Sequence, residues 1–335
     1  MKKMICVECG TKDSFEMKEV TRKYEGDGYY FEMQVCVPFC KKCGAPITNE
    51  EIEEEIAKQA NAKIREMRGI ISKEKILTIL DQYHVSQKFL SKLLGWGEIT
   101  LTRYISGGYT PNLTNSNKLK GLSNPYIFLA LLNNWIEQQE YDVGEDASFR
   151  KAQKSVWNEL DQLEKTSGGM YKVVNWFLAQ SSEEDQITHL ALQKLLYFTQ
   201  GWSRILIGDW MVEDTCEAWV HGAVYSSVYD EFKNFKYMPL PKVSKPIDFS
   251  NDQLRLMKMI KDYYFDVYSA KTLEAICHKE QPYILTRKGI QKDVNSKELI
   301  PKKSIERYYK EIAEKYQVTL EDTSGIRRYL NDLLY

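Results

Sequence analysis

Two C-x-x-C pairs open the chain, Cys6 with Cys9 and Cys40 with Cys43, with 30 residues between them. A C-x-x-C turn aims two thiolates at one point, and two such turns supply four soft ligands for a tetrahedral site. Each pair is followed by glycine, Gly10 and Gly44, which lets the backbone fold back so that amide N–H groups face the sulfurs. Disulfides would need an oxidising compartment, and redox C-x-x-C chemistry normally needs one pair only. Four sulfurs close the shell and leave no open catalytic position, so the pattern reads as one structural Zn²⁺ on Cys6, Cys9, Cys40 and Cys43. Cys36 reads as a spare or packed thiol.

The segment between the pairs is strand-like. Phe15, Met17 and Val20 form one run, and Tyr29, Phe31, Met33, Val35 and Val37 form another. Gly26-Asp27-Gly28 breaks them as a hairpin turn.

With 335 residues, 43% hydrophobic and 12% aromatic, the chain can build two or three cored units. A net charge of −1 leaves no global field for nucleic acid or membrane, so any basic surface must be local. The start lacks a signal-like apolar stretch, and no run approaches the ~20 apolar residues of a membrane span. With Cys216 and Cys277 standing alone, a cytoplasmic protein is expected.

Residues 49–68 read as a helix, with glutamates in its first turns, basic residues at its end and an Ile52, Ile56, Ala60, Ile64 stripe. It is expected to connect, with one docked face. Gly69 closes it, and Ser72 caps the next helix at 73–83. A helix-turn-helix pattern comes next. Ser86 caps a short helix, Gly95-Trp96-Gly97 turns the chain, and a second helix at 98–106 ends on Gly107-Gly108. Phe89, Leu93, Leu94, Leu101 and Ile105 are its expected core. Residues 72–121 carry seven Lys or Arg against three acids, a local basic patch.

These residues resemble the MqsA/YgiT-type antitoxins over about 1–122. The resemblance rests on the two C-x-x-C pairs followed by Val85-Ser86-Gln87-Lys88 and by Leu101-Thr102-Arg103-Tyr104-Ile105-Ser106-Gly107-Gly108-Tyr109-Thr110-Pro111. It implies a zinc-bound module ahead of an Xre-like helix-turn-helix that represses its own operon. It also implies that Gln87 contacts phosphate or base and that Arg103 reads a base, where an Arg can fork onto guanine. Arg103 could instead form a surface ion pair with Glu98 or a neighbour. Ile99 stands where the family has a base-contacting Asn, so Thr100 or Thr102 is expected to contribute, with Lys88 on the backbone.

Pro125 opens an apolar helix (126–137), 142–146 reads as a polar loop, and a charged helix lies at 147–165. That helix carries Val156, Trp157, Leu160 and Leu163 on one side. Thr166-Ser167-Gly168-Gly169 reads as the boundary of the second half, and a fragment from Met170 is expected to keep its own core.

That half shows an apolar helix at 170–180 and a long one from Thr188, with Leu192, Leu195, Leu196 and Phe198 buried. Another helix is expected at 228–235. His189 and His221 read as ordinary hydrogen-bonded histidines. No G-x-S-x-G elbow, Walker A loop or H-E-x-x-H motif appears, and no acid/base pair stands out, so no enzyme is expected. Leu192-Gln193-Lys194-Leu195-Leu196-Tyr197-Phe198-Thr199-Gln200-Gly201-Trp202 and Glu217-Ala218-Trp219-Val220-His221-Gly222-Ala223-Val224 are similar to the SocA-like Panacea domain, over about 170–315. The chain departs from it at Ala191, Thr199 and Ala223. The resemblance implies a mostly helical domain that binds and neutralises a toxin protein, without saying which face binds. Leu195, Tyr197 and Trp219 read as core.

The expected fold is mainly α with a small β zinc-binding module. The expected domains are a zinc module (1–48), a helix-turn-helix domain (49–122), a helical connector (123–168) and a Panacea-like toxin-binding domain (169–335). The expected function is the antitoxin of a type II pair, holding its cognate protein toxin and binding operator DNA as a homodimer. Half-sites would lie ~34 Å apart. The alternatives are an adaptor that delivers the toxin to a protease and a DNA-binding regulator with no toxin.

Overall fold

Twelve-residue strands β1 (Phe15–Gly26) and β2 (Tyr29–Cys40) pair antiparallel without a bulge, from Phe15 opposite Cys40 to Gly26 opposite Tyr29. The computed structural model describes residues 4–26, 28–138 and 146–335. Of the expected polar loop at 142–146, all but Asp146 lies outside the described residues. The chain divides into two compact units, Met1–Gln82 with Leu90–Leu122, and Tyr83–Phe89 with Ser123–Tyr335.

In the first unit, helix α1 (Glu50–Met67) starts where the Asn49 side chain accepts the Ile52 amide over 3.1 Å. Its buried Ile56 packs with Val35 and Val37 of β2, and Val20, Tyr24 and Ile52 close the edges. Arg22 on β1 forks onto Glu53 at 2.7 and 3.0 Å. The expected docked face is therefore present. Helices α2 (Lys73–Gln82), α3 (Gln87–Leu93), α4 (Thr100–Ser106) and α5 (Leu113–Gly121) come after it in the chain, with the first three residues of α3 counted in the second unit. Ser72 and Ser86 each accept an amide three residues on, at Lys75 and Phe89.

In the second unit, helices α6 (Pro125–Glu137), α7 (Ala147–Thr166) and α8 (Met170–Gln180) pack together. The buried Asn175 amide on α8 joins them, accepting from the Tyr126 hydroxyl at 2.7 Å and donating to Glu164 at 2.6 Å. Residues 123–168 thus share a core with α8. On α7, Val156 and Leu160 are buried, while Trp157 and Leu163 stay partly exposed.

Helix α9 (His189–Leu206), capped by Thr188, is buried on almost every face. Packed around it are α11 (Asn251–Ile260), α12 (Ala270–Lys279) and α14 (Lys302–Tyr316), with the two-stranded sheet β3 (Glu217–Trp219) and β4 (Gly222–Val224). Helix α10 (Ser226–Phe232) starts and stops earlier than the expected 228–235, because the chain tightens to a 3₁₀ turn at Lys233–Phe235. Helices α13 (Gln281–Thr286) and α15 (Gly325–Leu334) complete the unit. The chain is mostly helical, with two small antiparallel sheets among the described residues, and no described helix is long and apolar enough to cross a membrane.

Candidate functional site

The two cysteine turns are built alike. In each, the glycine amide donates to the carbonyl of the first cysteine at 2.9 Å, Gly10 to Cys6 and Gly44 to Cys40. The first cysteine's own amide reaches five residues on, Cys6 to Thr11 at 2.9 Å and Cys40 to Ala45 at 2.8 Å. Both glycines hold positive φ, +70° and +75°, which a side chain would strain. The amides that face sulfur lie two residues past each second cysteine, Thr11 toward Cys9 and Ala45 toward Cys43.

Four sulfurs come together as a result. Cys6 Sγ lies 3.5 Å from Cys43 Sγ, Cys9 Sγ lies 3.6 Å from Cys40 Sγ, and all four ligand atoms fall within 4.8 Å of one another. A tetrahedral cation with ~2.3 Å bonds to sulfur sets its ligands ~3.8 Å apart, so the donor set fits. The separations are far beyond the ~2.05 Å of a disulfide. The four cysteines can hold a metal ion.

Their acidities point the same way. Cys9 is held down to about 6, first by the Thr11 hydroxyl and then by the Thr11 amide. Cys43 is pushed up to about 12; the Ala45 amide favours its thiolate, but the crowding sulfurs of Cys6 and Cys9 outweigh it. A cation would relieve that repulsion. Among the described residues, Met4, Cys6, Cys40 and Ile47 form the buried cluster around the site, with Cys9, Phe15 and Ala45 against them. Cys36 is exposed, paired with Glu19 across the ladder and outside the cluster.

The expected DNA-contacting residues fall on α3 and α4. Gln87 opens α3 half-buried, with Lys88 exposed beside it. Thr100 opens α4 half-buried, and Thr102 and Arg103 are exposed. The second helix begins at Thr100 rather than at 98, because Glu98 and Ile99 form a turn and the Thr100 amide closes on the Gly97 carbonyl at 2.9 Å. Ile99 is 55% exposed. Leu101 is buried as expected, but Leu90 and Tyr104 take the buried places expected of Leu94 and Ile105.

The motif residues of α9 act as braces. Gln193 accepts the Tyr225 amide at 2.8 Å and donates to its carbonyl at 3.3 Å, and Gln200 does the same to Val212 at 3.1 and 2.6 Å. Trp202 donates to the Tyr264 hydroxyl at 2.8 Å. Gly201 admits α14, since a Cβ there would lie 2.3 Å from the Tyr309 ring. Leu195 and Tyr197 are fully buried as expected, whereas Trp219 is only half-buried and faces a cleft. His189 hydrogen-bonds Gln193 at 3.3 Å and His221 hydrogen-bonds Glu274 at 3.0 Å.

Residues 4–124 match the family model for the antitoxin component of bacterial toxin-antitoxin systems, MqsA. Residues 192–284 match the model for the antitoxin SocA-like Panacea domain. No curated protein and no solved structure matches the chain. The two family matches support an antitoxin role and a regulatory rather than enzymatic one, with a toxin as the implied partner.

Proposed function

We propose that this chain is the antitoxin of a type II toxin–antitoxin pair, active in the cytoplasm. The observation that carries the reading is the presence of two different antitoxin families on separate stretches of one chain. The Panacea half holds the cognate toxin by protein–protein contact. The helix-turn-helix half binds operator DNA as a dimer and represses the operon, with Arg103 and Thr100 or Thr102 toward the bases, Lys88 toward the phosphates and Gln87 toward phosphate or base. One structural Zn²⁺ on Cys6, Cys9, Cys40 and Cys43 contributes folding energy to a module too small to build a core alone.

A second reading places neutralisation in the N-terminal half, because residues 4–124 match an antitoxin family by themselves. Co-expression with the product of the adjacent gene separates the two. Growth rescue by residues 123–335 alone supports toxin binding in the Panacea half, and rescue by residues 4–122 alone moves it to the zinc half. If the full chain neither rescues growth nor shifts its upstream DNA, the antitoxin reading fails.

A further inference from the structure

The second unit holds a cleft of about 630 Å³, lined in part by Lys194, Trp219 and His221 of the Panacea-like motifs. Lys194 of α9 lines it, with no exposed surface of its own. Its ammonium donates to the Ala223 carbonyl at 2.8 Å, and among the described residues its other two N–H groups have no acceptor. An ammonium carries three donors, and burial without partners is unfavourable. Burial accordingly lowers the pKa of Lys194. The side chain is held rigidly where it is, since β4 passes so close that a Cβ on Gly222 would sit 2.8 Å from the Lys194 Nζ.

Around Lys194 the cleft is lined by Lys233, Lys236, Lys271, His189 and His221, and by no aspartate or glutamate. Two carboxylates outside the lining answer part of this charge. Glu274 bonds His221 at 3.0 Å and Lys271 at 2.7 Å, and Asp230 bonds Lys233 at 2.8 Å. Lys194 and Lys236 make no ion pair among the described residues. Aromatic rings supply the walls. Trp219 and Tyr229 lie 4.7 Å apart between centroids, tilted by 56°, and Tyr237 is 94% exposed. The volume and the mix of rings with a few convergent polar groups suit a small ligand.

We propose that this cleft is an oxyanion site. Lys194 and Lys236 hold a carboxylate or phosphate by charge-assisted hydrogen bonds, and Trp219 and Tyr229 flank the ring or stem that carries it. Lys194 is already immobilised, so little rotamer freedom is lost on binding. The site does not depend on the antitoxin reading. The oxyanion can come from a free phosphorylated metabolite or from an acidic side chain presented by a partner protein.

The test uses the full chain at constant ionic strength, following tryptophan fluorescence and melting temperature against three probes. These are inorganic phosphate, adenosine monophosphate and N-acetyl-glutamate amide. The expected result is saturable binding of at least one probe. Lys194→Met should weaken it roughly tenfold or more, the scale of a lost charged hydrogen bond. Lys236→Gln, at an exposed position where folding is not at stake, should weaken it severalfold, and Lys258→Gln on the exposed face of α11 should leave it unchanged. Tightest saturation by adenosine monophosphate assigns a free phosphorylated ligand, and tightest saturation by the glutamate derivative assigns a partner's side chain. The proposal is overturned if none of the probes saturates, or if Lys236→Gln binds as the unaltered chain does.

Discussion

The Tyr329 hydroxyl donates to the Glu280 carboxylate over 2.7 Å, in a part of the second unit where both residues are buried. The Tyr309 hydroxyl reaches the same carboxylate at 3.1 Å. Burial pushes the Glu280 carboxyl up to about 7, with the tyrosine hydrogen bonds, Tyr329 first, pulling it partway back. Between about pH 4.5 and 7 the folded chain keeps a proton that the unfolded chain releases, so this group's contribution to stability falls as pH rises. Glu280→Gln keeps the shape without the ionisation. Its stability relative to the unaltered chain should therefore rise across that window and level off above it, by on the order of 2–3 kcal/mol. Paired urea titrations at pH 5 and pH 8 measure the difference. Taking the difference also removes His189, which burial holds down to about 4 and which acts with the opposite sign, costing stability as pH falls below 6.5.

Cys40→Ser should remove the metal and unfold the N-terminal module, since Cys40 is both a ligand candidate and part of its small core. Cys36→Ser should leave metal content and melting unchanged. Atomic absorption on reduced protein, expected at one zinc per chain, checks both; a zinc-free protein would end the assignment.

Arg103→Ala should cost ~1–3 kcal/mol in operator affinity and relax preference at one base pair. Lys88→Ala should weaken all sequences alike and flatten the dependence on salt. Fluorescence anisotropy at several salt concentrations separates the two behaviours.

Gly201→Ala should destabilise the second unit by about 1–3 kcal/mol, because the new methyl overlaps the Tyr309 ring and α14 must retreat. Gly97→Ala is the control, with only an ordinary 3.5 Å contact to Thr100. Melting curves of the two should differ by several degrees.

Truncation should track packing rather than glycine content. A fragment of residues 123–335 retains the Tyr126–Asn175 and Glu164–Asn175 hydrogen bonds, whereas one starting at residue 170 loses both and exposes the apolar face of α8 that α7 covers. Melting temperatures, read by circular dichroism, should fall in the order full chain, 123–335, 170–335. The Gly168-Gly169 break is a tight turn inside a shared core: a Cβ on Gly169 would lie 2.5 Å from the Met211 carbonyl oxygen.

The four cysteines are legible in the sequence because each pair's geometry is set within six residues, and the pairing of β1 with β2 needs only a short turn. Serine caps, the start of α9 at Thr188 and the span of α8 are equally local. The cleft is not legible in that way. Lys194, Lys236 and Lys271 come from α9, the turn after α10 and α12, and only the fold brings them together. Trp219 misleads because a tryptophan in an apolar run suggests core, while the ring stands at the edge of β3. Glu280 gives no signal either, since its three phenolic neighbours are spread over residues 197–329.

The β1–β2 ribbon ends on a cysteine of the cluster, for the last pair at its open end is Phe15 with Cys40. Isolated two-stranded ribbons fray from the open end, where the final pair has neighbours on one side only. A metal ion on the four cysteines would clasp that end by tying Cys40 to the other cysteine pair. Opening the ladder from that end would then require breaking a ligand bond. With the metal bound, the ladder-bonded amide protons of both strands should exchange at one common slow rate, and in a gradient from Cys40 toward Tyr29 once the metal is removed.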